Sequence, residues 1–141
     1  MKVRFKMLAV AMAVLTLLLC MAVPIQAAVV KPDVEPNWQN TAAISLIMGF
    51  LDDGYGYAEA TVMGEPGVTK IIVDIYVYRQ VGQSWVLVGE EHTTYYGAAT
   101  LASCRFNAFN RAYYKAHYIF TVTRDNIDEI ISETKYETCS R

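Results

Sequence analysis

Side chains that alternate between apolar and polar from residue 68 to residue 80 constrain the fold more than any other feature. Successive side chains of a strand point to opposite faces, so one face here is apolar: Ile71, Val73, Ile75 and Val77. The other face carries Asp74, Tyr76 and Tyr78. β-Branched and aromatic residues are typical of strands. The pattern therefore predicts a strand with one buried face.

Six further segments have strand-like patterns: 42–51, 55–63, 85–96, 100–106, 112–124 and 127–139. Turn residues separate them, as in Asp52-Asp53-Gly54 and Glu65-Pro66-Gly67. The start of the last segment (125–131) also fits a short helix. About seven strands at this spacing predict an all-β fold, an antiparallel sandwich of two layers.

Residues 110–116 read Asn-Arg-Ala-Tyr-Tyr-Lys-Ala. This stretch resembles the Asp-x-Gly/Ala-x-Tyr-x-Cys motif at the tyrosine corner of immunoglobulin-like domains. The resemblance implies an immunoglobulin-like sandwich in which the Tyr114 hydroxyl bonds back to the preceding corner. Asn110 and Ala116 stand where that family has aspartate and cysteine, so the family's usual inter-sheet disulfide is not expected.

The N-terminal residues have the three parts of a secretory signal peptide. Three basic residues among the first six precede an uncharged apolar run, 7–23, and a short segment that ends at Ala27. We predict a helical signal peptide at 1–27, an extended linker at 28–40 and one sandwich domain at 41–141. An uncleaved anchor and a lipoprotein attached at Cys20 are the alternatives. The expected location is secreted or associated with the cell envelope.

The chain after the leader also resembles small exported proteins of Gram-positive bacteria. The shared features are the leader, Tyr78-Arg79-Gln80, Ser84-Trp85 and Tyr114-Lys115. The resemblance implies an immunoglobulin-like or fibronectin type III-like sandwich and an exported location, without an activity.

The charge of the exported chain restricts its partners. Loss of residues 1–27 leaves nine basic and 14 acidic side chains, a formal charge of −5. Nucleic acids and anionic membranes are bound mainly through lysine and arginine. We therefore expect neither a nucleic acid nor, after cleavage of the leader, a membrane as partner, and instead a protein or glycan at the cell surface.

Two cysteines, Cys104 and Cys139, follow the leader. An even number in an exported chain predicts a disulfide, and two unpaired thiols are the alternative. In the expected sandwich the strand carrying Cys104 and the last strand end at the same pole, which would make the two cysteines neighbours.

Residues for catalysis or metal binding do not form a recognisable pattern. His92 and His117 are 25 residues apart on different strands, and both are expected to face solvent. The acidic groups at 52–53 and 125–129 lack the spacing of a known calcium loop. We therefore predict no catalytic residue, cofactor or metal, and no enzymatic activity.

Ten tyrosines suggest a binding surface. Tyr76 and Tyr78 lie opposite the apolar face of their strand, and exposed tyrosines can stack on sugars or protein partners. The competing explanation is that aromatic pairs across strands stabilise the sheet. The sequence favours an exported, non-enzymatic binding module for a cell-wall glycan or a surface or host protein. The alternative is a small secreted hydrolase or hydrolase inhibitor at the cell wall.

Overall fold

The computed structural model describes residues 37–140, which form seven antiparallel strands and no helix. The strands are β1 (Thr41–Phe50), β2 (Tyr55–Gly64), β3 (Val68–Val81), β4 (Ser84–Tyr95), β5 (Ala99–Asn107), β6 (Tyr113–Arg124) and β7 (Ile127–Thr138). The all-β prediction is confirmed, and the last segment is a strand rather than a helix. The predicted signal peptide, 1–27, and the predicted linker as far as residue 36 lie outside the described residues.

Two sheets face each other. One has the strand order β1-β2-β5 and the other has the order β4-β3-β6-β7. All neighbouring strands pair antiparallel. Strand β5 packs across from β4, and β7 packs across from β1. The result is the predicted immunoglobulin-like sandwich of two layers.

The core lies between the sheets, and alternation determines which side chains enter it. The apolar face of β3 is fully buried at Ile71, Val73, Ile75 and Val77, as predicted. Burial of one such side chain contributes about 1.5–3 kcal/mol. Strand β6, the neighbour of β3, contributes a buried row of its own: Tyr114, Ala116, Tyr118, Phe120 and Val122. These two central strands supply most of the large buried side chains.

Three aromatic rings fill one pole of the core. Phe50 and Phe106 each lie 5.3 Å, centroid to centroid, from Tyr114. The Tyr114 hydroxyl accepts a 2.8 Å hydrogen bond from the backbone N–H of Phe109. This is the contact expected of a tyrosine corner, because Phe109 lies in the loop that precedes β6.

The opposite pole is closed by Asn40 and Glu129. The Asn40 side-chain amide donates to the carbonyl oxygens of Val122 and Ile127, both at 3.0 Å. The Glu129 carboxylate accepts hydrogen bonds from the backbone N–H groups of Gln39 and Asn40. The last residues of the predicted linker, 37–40, therefore contact the sandwich domain directly.

The two cysteines are buried but are not joined by a disulfide in the structure. Cys139 lies at the pole where β6 begins, and its backbone N–H bonds to the carbonyl oxygen of Ala112. Cys104 lies three residues before the end of β5, with its Sγ facing Gly89 of β4. The two cysteines were predicted to be neighbours at one pole. However, β5 packs against β4 at one edge of the sandwich and β7 packs against β1 at the other edge, and this separates the two side chains.

Candidate functional site

Four aromatic side chains gather on the outer face of the four-stranded sheet, around one lysine. We call Tyr78, Trp85, Tyr113, Tyr136 and Lys115 the aromatic surface. Its ring centroids are 5.8 Å apart for Trp85 and Tyr113, 6.1 Å for Trp85 and Tyr136, and 5.9 Å for Tyr113 and Tyr136. Tyr113 and Tyr136 are 39% and 51% exposed. The surface therefore offers ring area to a ligand from solvent.

Strand register brings these residues together. Lys115 of β6 pairs with Tyr78 of β3 on one side and with Tyr136 of β7 on the other. Directly paired residues point to the same face of a sheet. The three side chains therefore form one row across three strands, and Tyr113 lies two residues before Lys115 on the same face.

A β-bulge brings Trp85 to this face. Val77 pairs with Gly89, but Tyr78 pairs with Leu87, so Val88 is an extra residue in β4. A bulge reverses the alternation of side chains along the strand that contains it. Trp85, opposite Gln80, therefore points outward together with Glu90 and His92. Without the bulge, strict alternation would turn Trp85 toward the other sheet.

Lys115 carries the positive charge of the aromatic surface. Its Nζ lies 4.9 Å from the ring centroid of Tyr78 and 4.8 Å from that of Trp85. An ammonium within about 6 Å of a ring centroid is attracted by the ring face. The two contacts hold the half-buried lysine side chain in place between strands.

A shallow depression of about 230 Å³ adjoins the rings. Its walls are Tyr78, Lys115, His117, Thr134 and Tyr136. The Nδ1 atom of His117 lies 3.0 Å from the Thr134 hydroxyl oxygen. Hydroxyl, imidazole and ammonium groups thus stand beside the aromatic rings, and can hydrogen-bond a polar ligand that stacks on them.

The predicted pair Tyr76 and Tyr78 lies on one face, and both side chains are half-buried. Tyr78 belongs to the aromatic surface. Tyr76 instead lines a second depression, of about 360 Å³, together with the acidic side chains Asp74, Glu90 and Glu91 and with His92. The two tyrosines therefore border sites of different charge.

His92, which lines this second depression, lies between a carboxylate and a hydroxyl. Its Nδ1 contacts Asp74 Oδ1, and its Nε2 lies 3.5 Å from Thr94 Oγ1. A carboxylate, an imidazole and a hydroxyl in sequence are the parts of an activated nucleophile. Glu90 and Glu91 lie in the same depression, and their negative charge opposes the formation of an oxyanion there.

Cys104 is not suited to act as a nucleophile. Burial, followed by the carboxylates of Glu91 and Glu90, raises the pKa of its thiol to about 11. Burial likewise raises the pKa of the Tyr118 hydroxyl, with further contributions from Cys104 and Glu59. Because the thiolate is the reactive form, Cys104 stays inert at neutral pH.

Within residues 37–140, no group of three or more histidine, cysteine or acidic side chains is placed to hold a metal ion. The same part of the chain contains no helix that is long and apolar enough to cross a membrane.

The binding face predicted from the sequence lacked Trp85, Tyr113, Lys115 and Tyr136. A local signal existed for Tyr113, Lys115 and Tyr136, because alternation within β6 and β7 places them opposite the buried residues. Their meeting depends on the pairing of β3, β6 and β7, which local alternation does not reveal.

No protein-family model matches the chain, and no curated protein sequence matches it. Solved structures with a similar fold include a protein from Archaeoglobus fulgidus, at 16% identity and a TM-score of 0.38, over 72% of this chain and 97% of that one. A candidate β-galactosidase from Bacteroides fragilis shares 8% identity at a TM-score of 0.43. The β-glucuronidase of Parabacteroides merdae shares 14% identity at a TM-score of 0.43.

The alignments with the two glycosidases cover 70% and 72% of this chain but only 18% and 15% of theirs. The matched region therefore spans less than a fifth of the length of each glycosidase.

Proposed function

We propose that this protein is an exported, non-enzymatic binding module that holds a saccharide on its aromatic surface. The observation that carries the proposal is the meeting of Trp85, Tyr113 and Tyr136, from three strands, on a solvent-facing sheet. Aromatic side chains combine a large apolar body with a hydrogen-bonding group at one end. Their clustering at the surface favours binding of a ligand over a purely structural role.

The chemistry of a pyranose ring matches this surface. One face of the ring consists of C–H groups, which pack on aromatic rings, and its rim carries hydroxyl groups that need hydrogen-bond partners. Thr134 and His117 stand beside the rings and provide such partners. A stable interface with a protein covers roughly 800 Å² on each partner, so a protein ligand would have to contact many residues beyond these few side chains.

The leader predicted at 1–27 favours a ligand outside the cytoplasmic membrane. Glycans of the cell wall or of another cell surface are then the accessible saccharides. The net charge of the exported chain disfavours nucleic acids as competitors for the same surface.

The test is a glycan array followed by a fluorescence titration. The chain has two tryptophans, Trp38 and Trp85, so Trp38→Phe makes Trp85 the single reporter. We expect a saturable change in its emission with the selected saccharide, and its loss in Tyr136→Ala.

Tyr55→Ala is the matched control. Tyr55 is an exposed tyrosine at the start of β2 in the other sheet, with the Arg105 Cζ 3.9 Å from its ring centroid. Binding that is unchanged in Tyr136→Ala, or the absence of any saccharide ligand at millimolar concentration, would contradict the proposal. Binding of a protein partner without binding of any saccharide would also contradict it.

A small hydrolase is the second candidate, because Asp74, His92 and Thr94 form a carboxylate–imidazole–hydroxyl series. If the protein is such a hydrolase, we expect turnover of a glycan or ester substrate, and we expect this turnover to be lost in both His92→Gln and Thr94→Val. Cleavage unaffected by either substitution would exclude this arrangement as the source of activity.

A further inference from the structure

We infer that the ligand of the aromatic surface is an acidic saccharide, with a uronic-acid carboxylate bound by Lys115. The inference rests on the proposed saccharide binding and specifies the class of sugar. It follows from where the charges lie on the outer face of the four-stranded sheet.

The Lys115 ammonium is positioned but not neutralised. Within residues 37–140 the ion pairs join His92 to Asp74 and Arg105 to Asp53, and neither includes Lys115. Its contacts with the Tyr78 and Trp85 rings hold Nζ in place without cancelling its charge. A carboxylate that reaches this point meets a cation whose side chain is already partly ordered, which lowers the entropy lost on binding.

The depression beside Lys115 differs in charge from its neighbours. Its walls contain a lysine and a histidine and no carboxylate. The depression next to Tyr76 contains Asp74, Glu90 and Glu91 beside His92. One on the other sheet contains Glu59 and Arg105, and the Arg105 guanidinium is already paired with Asp53. Of these three depressions, the one beside Lys115 therefore repels an anion least.

The same geometry argues against a cationic ligand. Clustered aromatic rings bind quaternary ammonium groups when their faces are free. Here the Lys115 ammonium already lies over two of the rings, and it would repel a second cation. The surface therefore combines ring area for the sugar with one positive charge for a substituent of the sugar.

A carboxylate also suits the remaining groups of the depression. It has two oxygen atoms, each of which accepts hydrogen bonds. One oxygen can accept a hydrogen bond from the Lys115 ammonium. The other oxygen can accept one from the Thr134 hydroxyl or the His117 ring, which line the same depression. A single cation matches the single charge of a uronic acid.

The experiment compares a uronic-acid oligosaccharide with its carboxyl-reduced form, which has the same sugars and linkages but no charge. Isothermal titration of the purified protein should give an affinity about tenfold higher for the acidic form, as expected of one hydrogen bond to a charged group. This difference should shrink when NaCl is raised from 50 to 300 mM, because exposed charges are screened.

Lys115→Met retains an unbranched apolar stem and removes the charge. We expect it to bind the acidic form about tenfold more weakly and the neutral form nearly unchanged, whereas Lys115→Arg should keep the preference. Lys70→Met, which removes a charge from β3 at the far end of the same sheet, should change neither affinity more than about twofold.

Each outcome decides a separate point. Equal affinity for the acidic and neutral forms overturns the acidic specificity and leaves saccharide binding intact. A preference that survives in Lys115→Met shows that another group binds the carboxylate, and also overturns the inference. Equally tight binding of a sulfated form of the neutral oligosaccharide rules out specificity for a carboxylate. Failure to bind any saccharide removes the proposed function together with the inference.

Discussion

The Thr41 hydroxyl donates a 2.7 Å hydrogen bond to Oε2 of Glu129, linking the first strand of one sheet to the last strand of the other. The same carboxylate accepts from the backbone N–H groups of Gln39 and Asn40. Partial burial disfavours the charged form of Glu129, but these hydrogen bonds outweigh it, and its pKa falls below the ordinary value of 4.5.

We expect Glu129→Gln to reduce the free energy of unfolding by about 1–2 kcal/mol at pH 7, as measured by urea denaturation. A lowered folded-state pKa stabilises the protein above the pKa of the unfolded state, and this stabilisation is lost as the pH falls through the folded-state value. The difference between wild type and variant should therefore shrink below pH 4.5. Glu133→Gln, at an exposed position of the same strand, is the control. Parallel pH profiles for wild type and Glu129→Gln would contradict the prediction.

Removing the tyrosine-corner hydroxyl should destabilise the fold without loss of ring packing. Tyr114→Phe leaves the N–H of Phe109 without its 2.8 Å acceptor. We expect a loss of about 1–2 kcal/mol in the free energy of unfolding. Tyr113→Phe removes a hydroxyl from the exposed neighbour and should change stability by less than about 0.5 kcal/mol. Equal losses for the two variants would show that the corner contact is not stabilising.

Gly56 provides space for the aromatic core. A Cβ at this position would lie 2.5 Å from Cζ of Phe106, closer than such atoms approach in folded proteins. Gly56→Ala should therefore cost about 1–3 kcal/mol by urea denaturation. In a Phe106→Leu background the cost should fall by about 1 kcal/mol, because the clashing ring is gone. If the losses in Gly56→Ala and Phe106→Leu simply add in the double variant, the strain does not come from the contact with the Phe106 ring.

The thiols should be protected in the folded protein. Cys104 and Cys139 are 2% and 0% exposed, and the pKa of Cys104 is about 11. At pH 8 only about one Cys104 side chain in a thousand is then a thiolate. We expect slow labelling of both by iodoacetamide in the native state and complete labelling in urea without reductant, located by peptide mass spectrometry. Resistance in urea would reveal a disulfide, and rapid native labelling would contradict their burial.

Much of the fold could be predicted because alternation is a local property. The buried row from Ile71 to Val77 is visible in the sequence, and each of the seven expected strands ends within about a residue of the observed limits. A strand with one buried face tolerates no shift by one residue, because the shift would expose its whole apolar row.

The candidate site was only partly predictable, because it depends on pairing between strands. Tyr78 was identified from its own strand. Trp85 reaches the same face because Val88 forms a bulge, and local sequence reasoning does not locate a bulge of this kind. The cysteines illustrate the same limit. The direction of their strands predicts the pole at which they lie, whereas the order of the strands determines at which edge of the sandwich each one lies.

The contacts of Asn40 with Val122 and Ile127 bring the chain into the sandwich at the pole opposite the aromatic surface. Val122 lies nine positions after Tyr113 in β6, a distance of about 30 Å along an extended strand. Immobilisation on a sensor chip through a label attached at the exposed residue Asn37 should therefore keep the ligand-facing rings accessible. A bulky C-terminal fusion should crowd them instead, because Thr138 pairs directly with Tyr113.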